Sequence, residues 1–139
     1  MDERRRHRHP ITVQPEDIDD LGHVNNAVYL RYIEDVARAH ALRVGMPLEK
    51  MRELGAVPVV RRHVVTYHRA ATLGEELWVS TEILEARGIR AKRHNEVRRA
   101  SDDVLLVEAD TDWVWVDLKG RPCPCPLPLL EAFGFGDGA

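Results

Sequence analysis

Apolar side chains recur at spacings of three and four residues between positions 26 and 42. The positions that share this stripe are Tyr29, Ile33, Val36, Ala37 and His40. Such spacing is typical of an amphipathic helix that buries one side. Asn25 and Asn26 are favourable N-cap residues, and Gly45 and Pro47 are typical of a helix end, so the pattern predicts a helix over residues 26–42.

Two pairs of opposite charge lie four residues apart on the remaining surface of this helix. They are Arg31 with Asp35 and Glu34 with Arg38. We expect ion pairs that each stabilise the helix by about 0.2–0.5 kcal/mol, which is little beside burial of the apolar stripe. If Glu34 is not held by Arg38, its carboxylate is free to face a cavity.

Four runs rich in β-branched and aromatic residues follow the helix, with turn residues between them. They span residues 59–67, 77–84, 89–97 and 104–116, and a short strand at Ile11 and Val13 precedes the helix. The predicted order is therefore β-α-β-β-β-β, in an α+β fold.

The last of these runs alternates between two sets of side chains. Leu105, Val107, Ala109, Thr111, Trp113 and Trp115 form one set, and Glu108, Asp110 and Asp112 form the other. A period of two predicts a strand with one packed face and one face in water.

The composition fits one globular domain, with 139 residues, of which 44% are hydrophobic and 31% charged. A net charge of -3 argues against a general nucleic-acid binder. No apolar stretch has the length of a membrane span or the pattern of a signal peptide, which predicts a cytoplasmic protein with no membrane partner. We expect a basic, mobile arm over residues 1–10, the domain over residues 11–133 and a flexible tail over residues 134–139.

The two thiols, Cys123 and Cys125, are one residue apart in a proline-rich segment, so they cannot join distant parts of the chain. The C-x-C spacing lacks a second pair of ligands for zinc. We expect structural cysteines in a closing strand, and we predict no metal and no other cofactor.

The segment just before the helix carries the candidate chemistry, since it holds Asp17, Asp19, Gly22 and His23. The first N–H groups of a helix have no partner within it and lie at the positive end of its dipole. Near Asn26 they can therefore stabilise a carbonyl oxygen that becomes negative. Gly22 permits a left-handed turn that would bring the acids back toward this helix end. A carboxylate there suits attack on an activated acyl group, directly or through a water molecule that it orients.

Two other interpretations fit the same segment. In a calcium-binding loop the acids and Gly22 would fit, but Leu21 and Val28 stand where oxygen ligands are required. The second interpretation is an ordinary capped helix behind a polar turn, whose acidic side chains are only solvated. The residues alone leave that second alternative open.

The pattern D-x-D-x-x-G-H-V-N-N-x-x-Y over residues 17–29 resembles the hotdog-fold acyl thioesterases of the 4-hydroxybenzoyl-CoA thioesterase type. The runs V-V-T-Y at 64–67 and W-V-W-V-D at 113–117 resemble later strands of that family, and the resemblance covers roughly residues 11–130. It implies a hotdog fold, in which a curved antiparallel five-stranded sheet wraps a long helix. It also implies a homodimer, or a homotetramer built as a dimer of dimers, with acyl sites at the subunit interface.

The resemblance also assigns roles within the site. It places Asp19 at the catalytic carboxylate, the backbone N–H near Asn26 at the oxyanion donor and Asp17 in support. We expect His23 either to bond the thioester carbonyl or orient water, or to make a structural hydrogen bond.

The predicted substrate contacts are Asp17, Gly22, Val24, Asn25, Tyr29, Arg61, Arg62, Arg90, Lys92 and Arg93. The basic residues form two clusters that suit the phosphates of CoA or the acidic face of an acyl carrier protein. A charged, solvated strand face is the alternative for both clusters.

The favoured function is hydrolysis of an acyl-CoA to a free carboxylic acid and CoA. One alternative is hydrolysis of an acyl group carried by an acyl carrier protein. The other is non-catalytic binding of acyl-CoA, and the presence of Asp19 argues against it. An ionised aspartate is a weak base, so attack on the thioester to give a mixed anhydride is slightly favoured over general-base catalysis. The acyl group cannot be read from the chain. Trp78, Trp113 and Trp115 could line an aromatic pocket, but large strand aromatics more often pack a sheet.

Overall fold

Residues 2–136 are described by the computed structural model, and their five strands and the long helix follow the predicted order. The strands are β1 (Arg6–Thr12), β2 (Val57–Tyr67), β3 (Glu76–Arg87), β4 (Arg90–Arg99) and β5 (Leu105–Val116). The helices are α1 (Asn26–Arg43), α2 (Leu48–Leu54) and α3 (Leu127–Ala132).

The five strands form one antiparallel sheet in the spatial order β1-β3-β4-β5-β2, and α1 packs against it. The register shifts between Val60 and Arg62 in β2 and between Ile83 and Glu85 in β3. Bulges of this kind bend a strand and increase its twist, which lets the sheet curve around a helix. This architecture confirms the predicted fold class.

The core lies between α1 and the inner face of the sheet. The five side chains of the predicted stripe are all buried. Along β5, Val107, Ala109 and Thr111 are buried while Asp110 between them is exposed, as a period of two requires. Burial of apolar surface stabilises the fold by roughly 25 cal/mol per Å². The buried stripe therefore contributes far more than the surface ion pairs of the helix do.

The prediction of a mobile basic arm over residues 1–10 is wrong from Arg6 onward. β1 begins at Arg6 and pairs with β3 from Arg6↔Glu82 to Thr12↔Glu76. Its arginines are exposed and its histidines are half-buried in strict alternation, so the basic residues lie on an edge strand. At the other end of the chain, Phe135 is buried within the predicted tail, and residues 137–139 lie outside the described part.

Two short helices and the cysteine segment differ from the prediction. α2 lies where a variable segment was expected, and α3 follows the prolines where a closing strand was expected. The bridge between Val116 and Pro122 and the bond from the Cys123 N–H to the Trp115 carbonyl join that segment to β5. The Cys125 N–H donates to the Gly88 carbonyl in the turn between β3 and β4. Both thiols are free, and burial raises the pKa of Cys125 to about 12.

The predicted ion pairs on α1 also have different partners. Arg31 pairs with Asp17 instead of Asp35, because the preceding turn brings a buried carboxylate beside the helix. Arg38 pairs with Asp35 at 3.4 Å. Glu34 is thereby left to face the sheet, where its carboxylate lies 3.8 Å from His63.

Candidate active site

A tight turn carries Asp19 back toward the start of α1. Ile18 and Val24 form an antiparallel bridge, and the Asp19 N–H donates to the His23 carbonyl at 2.8 Å. Gly22 closes the turn with a φ of +81° and donates its N–H to the Asp19 carbonyl at 3.1 Å. The predicted left-handed turn is therefore present, and its glycine is required because other residues rarely adopt this conformation.

The Asp19 carboxylate is held by backbone amides of its own turn. One of its oxygens accepts from the Leu21 N–H at 2.9 Å and more weakly from the His23 N–H at 3.4 Å. Asp19 is half-buried, and the side chain of His23 is exposed. The carboxylate is thus oriented by short-range bonds while still within reach of a ligand.

The start of α1 supplies an unused backbone donor. Asn25 caps the helix by accepting from the Ala27 N–H at 3.0 Å, and its carbonyl accepts from the Val28 N–H at 2.8 Å. The N–H of Asn26 donates to no acceptor within residues 2–136. It is therefore a free donor at the positive end of an 18-residue helix, as an oxyanion site requires.

Asp17 is the structural member of the pair of acids. It is 2% exposed, and its carboxylate accepts from Arg31, from the Tyr32 hydroxyl at 2.8 Å and from the Gln14 N–H at 3.1 Å. Burial would raise the pKa of Asp17, but these hydrogen bonds outweigh burial and lower it. Its carbonyl accepts from the Asn25 N–H at 2.9 Å, so Asp17 fixes the turn against the helix.

Two other predicted contact residues belong to the core. Val24 is 2% exposed, and the Tyr29 hydroxyl accepts from the Ala71 N–H at 3.0 Å within the buried cluster beneath the turn. Gly22 and Asn25 are exposed. The core residues therefore support the turn from below, and its exposed backbone forms the outer surface of the candidate site.

The predicted basic clusters are split between different surfaces. Arg61 and Arg62 are exposed at the bulge of the edge strand β2. Arg90 and Lys92 are also exposed, whereas Arg93 is only 8% exposed. The prediction that Arg93 belongs to a surface cluster is therefore wrong, because alternation along β4 turns this residue inward.

A cavity of about 580 Å³ lies between the C-terminal half of α1 and the sheet. Its wall is mainly apolar and includes Ala37, Ala41, Met51, Val60, Ile83 and Trp115. Such a volume is in the range of small-ligand sites, about 300–1,000 Å³. The wall joins residues from several elements, so no local sequence pattern could have revealed it.

A polar network that the sequence did not predict borders this cavity. The Nδ1 of His63 lies 2.8 Å from the Thr111 hydroxyl, and its Nε2 lies 3.8 Å from the Glu34 carboxylate. Glu34 lines the cavity. The Thr111 hydroxyl also accepts from the Asn95 amide at 3.0 Å. The predicted freedom of Glu34 to face a cavity is therefore realised.

The turn and the cavity lie at opposite ends of β2 in one chain. The Tyr67 hydroxyl donates to the Asn26 carbonyl at 3.2 Å, whereas the cavity borders Pro58 and Val60. Tyr67 is seven residues beyond Val60, which is about 20 Å of strand. Glu34, which also lines the cavity, lies eight residues beyond Asn26, which is about 12 Å of helix. The turn and the cavity of one chain are therefore separate regions, with Glu34 as the wall residue nearest to the turn along α1.

Within residues 2–136, no three His, Cys, Asp or Glu side chains are placed to hold a metal ion. In the same part of the chain, no helix has both the length and the hydropathy of a membrane span.

Comparison with known proteins gives a match along most of the chain. The family model described as the thioesterase-like superfamily matches residues 13–133. Protein THEM6 of Xenopus laevis is 32% identical over 80 residues, which are 58% of this chain and 38% of that protein. The match thus covers well under half of the length of this curated relative.

Two solved structures have the same architecture. The 1,4-dihydroxy-2-naphthoyl-CoA thioesterase from Synechocystis has a TM-score of 0.85 at 20% identity, over 92% of this chain and 95% of that chain. A mutant 4-hydroxybenzoyl-CoA thioesterase complexed with 4-hydroxybenzoyl-CoA has a TM-score of 0.86 at 21% identity, over 94% of this chain and 99% of that chain. At these identities the likeness shows the shared fold.

Proposed function

The chain belongs to the thioesterase-like superfamily, and from this premise we propose that it hydrolyses acyl-CoA thioesters to a free carboxylic acid and CoA. The observation that carries the proposal is the free Asn26 N–H at the start of α1, beside a turn that holds the Asp19 carboxylate. A hydrogen-bond donor for a developing oxyanion and an oriented carboxylate are the two groups that thioester cleavage needs.

The favoured route begins with attack of an Asp19 carboxylate oxygen on the thioester carbonyl carbon. The carbonyl oxygen becomes negative and is stabilised by the Asn26 N–H. The C–S bond then breaks, the CoA thiolate takes a proton from solvent, and a mixed anhydride remains on Asp19. Water hydrolyses this anhydride, which releases the acid and restores the carboxylate. Because a thiolate leaves without help, the route requires no general acid.

Two roles within this route stay open. Asp19 acting as a general base on water is the alternative to direct attack, and it leads to the same products. His23 follows in the same turn with an exposed side chain, which is consistent with orienting water at this site.

We further propose that two chains pair along β2. This strand is an edge of the sheet, and its Val59, Val64 and Tyr67 are 42%, 48% and 42% exposed. Antiparallel pairing of β2 with its own copy brings the start of one strand to the end of the other. The cavity of one chain would then lie beside Asp19 and Asn26 of the partner subunit. A dimer of such dimers stays a prediction.

The basic residues on β2 suit the nucleotide part of the substrate. Arg61 and Arg62 are exposed on the edge that this pairing would place beside both sites. Guanidinium groups bind phosphate through paired hydrogen bonds, so they are suited to CoA. Arg90 and Lys92 are exposed on the neighbouring strand β4, where an acidic acyl carrier protein is the alternative partner.

The test is release of free thiol by the purified protein from a panel of acyl-CoAs, with matched acyl carrier protein and oxygen-ester substrates alongside. We expect turnover of acyl-CoA and little turnover of the oxygen esters. Thiol release from the acylated carrier protein alone would support that alternative substrate. Binding of acyl-CoA without release of thiol from any substrate would contradict the proposed enzymatic function. It would instead support a non-catalytic acyl-CoA-binding protein.

A further inference from the structure

The wall of the cavity contains a buried arginine. Arg93 lies on β4, faces α1 and is only 8% exposed. Its Nη1 donates to His40 Nδ1 at 2.9 Å and to the Thr81 hydroxyl at 3.1 Å. Its guanidinium carbon lies 5.7 Å from the centroid of the Phe133 ring. These contacts fix the position of the guanidinium, but His40, Thr81 and Phe133 supply no negative charge to balance it.

No carboxylate of residues 2–136 pairs with Arg93. Burial lowers its pKa to about 10, so the group is still charged at neutral pH. A buried charge without a counter-ion carries a large desolvation penalty, and folded proteins normally pair such a charge. The carboxylate in the same wall, Glu34, lies beside His63 instead. The cavity therefore offers a fixed positive charge to whatever fills it.

The guanidinium of Arg93 also has donors that no protein group in the described part of the chain accepts. The Nε and Nη2 groups of Arg93 donate to no acceptor within residues 2–136. A fixed guanidinium in a cavity wall with donors that no described protein group accepts indicates a ligand that brings acceptors.

We propose that this cavity binds acyl groups that end in a carboxylate, so that the substrates are CoA monothioesters of dicarboxylic acids. The inference rests on the proposed function and specifies its substrate class. Arg93 binds the terminal carboxylate through its unused N–H groups, in a charge-assisted pair that restores neutrality. The apolar side chains of the wall contact the methylene chain, and the thioester extends toward Asp19 of the partner subunit.

The test compares matched pairs of substrates with equal carbon number: adipyl-CoA with hexanoyl-CoA, suberyl-CoA with octanoyl-CoA, and sebacyl-CoA with decanoyl-CoA. We expect the wild type to have the higher kcat/KM for the dicarboxylic member at the length that reaches Arg93. Arg93→Met should lower that value by about 10- to 100-fold, the range for a lost charge-assisted hydrogen bond. The matched monocarboxylic substrate should change by less than about threefold.

Arg87→Met is the matched control, since it removes an exposed arginine from the end of β3. It should leave the preference unchanged. A wild type that prefers the monocarboxylic member at every length, or an Arg93→Met variant that loses both substrates equally, would overturn the proposal. If Arg93→Met does not fold, Arg93→Lys retains the charge but loses the planar fork, and it should reduce the preference.

A second readout separates this proposal from the proposed function. If no thioester is hydrolysed, the thioesterase proposal fails, but the anion site can still be measured as a shift in Tm. Free suberate and sebacate should then raise the Tm of the wild type more than octanoate and decanoate do. The difference should vanish in Arg93→Met and persist in Arg87→Met. Equal shifts from both kinds of acid in the wild type would overturn the anion site.

Discussion

The Nη1 of Arg93 lies 2.9 Å from the Nδ1 of His40, and this contact determines which ring nitrogen carries the proton. A guanidinium can only donate, so Nδ1 must accept. Nε2 lies 2.7 Å from the Arg4 carbonyl, which can only accept, so Nε2 carries the hydrogen. A second proton on this ring would place an N–H and a positive charge against Arg93. Burial, and then the charge of Arg93, lower the pKa of His40 to about 3.

Folding stability should therefore fall as the pH drops below about 6.5, the usual pKa of histidine. The unfolded chain takes up a proton at His40 in that range, whereas the folded chain takes it up only near pH 3. The loss from this group is at most about 1.4 kcal/mol per pH unit. Urea unfolding of the wild type and of His40→Gln between pH 7.5 and 5 measures the difference.

The glutamine variant should have the flatter stability profile. His7 and His9 also have lowered pKa values, because of burial, and they act in the same direction in both proteins. Only the difference between the two profiles therefore reports His40. Identical slopes would show that His40 titrates in the folded state as it does in the unfolded chain.

Replacing Asp19 should remove activity without unfolding the protein. In Asp19→Asn the side-chain oxygen can still accept from the Leu21 and His23 amides, but it can neither attack a thioester nor take a proton from water. We expect kcat/KM to fall by about 10²-fold or more, with an unchanged Tm. Asp20→Asn, at the exposed neighbouring acid, is the control. An active Asp19→Asn would exclude Asp19 as the catalytic carboxylate.

Replacing Asp17 should have its first effect on stability. Asp17→Asn removes the charge that Arg31 and Tyr32 surround, and loss of a buried charge-assisted bond costs about 2 kcal/mol. Asp35→Asn is the matched control, because its pair with Arg38 at 3.4 Å is exposed and contributes about 0.5 kcal/mol or less. Denaturant midpoints measure both variants, and equal midpoints would contradict a structural role for Asp17.

The proposed pairing along β2 predicts that two inactive variants restore each other. Asp19→Asn removes the carboxylate, and Val60→Trp fills the cavity. In a mixed dimer one site has both defects and the other has neither, so random mixing should restore about one quarter of wild-type activity. The dimer mass should be twice 15.9 kDa by light scattering.

A mixture of Asp19→Asn with Asp19→Ala is the control for this experiment, and it should stay inactive. Mixed dimers that form by native mass spectrometry but regain no activity would show that each site lies within one chain. A monomeric wild type would contradict the pairing itself.

The elements with a long periodic pattern could be predicted from the sequence. α1 was expected over residues 26–42 and spans Asn26–Arg43, because its apolar stripe and its cap agree. β1 was missed in part, because its arginines and histidines suggested a solvated arm although they alternate as an edge strand does. α2 and α3 span seven and six residues, which is too short to show a helical period.

The site was predicted only where it is local in sequence. The turn, its glycine and the cap at Asn25 follow from residue types with specific backbone preferences. Arg93 was grouped with its charged neighbours. Because side chains alternate along a strand, Arg93 lies on the same inward face as Asn95 and Val97, and this alternation could have predicted its burial. The contact between Glu34 and His63 joins residues far apart in the chain, and no local pattern specifies it.

The donor at position 26 is a main-chain atom, and an alanine scan would therefore pass over it. Asn26→Ala keeps the N–H, whereas Asn26→Pro deletes that one atom group and leaves a helix that can still begin there. The preceding residue already suits a proline, since Asn25 has φ -59° and ψ 133°. The oxyanion role therefore requires only that residue 26 is not proline, and it does not depend on the asparagine side chain.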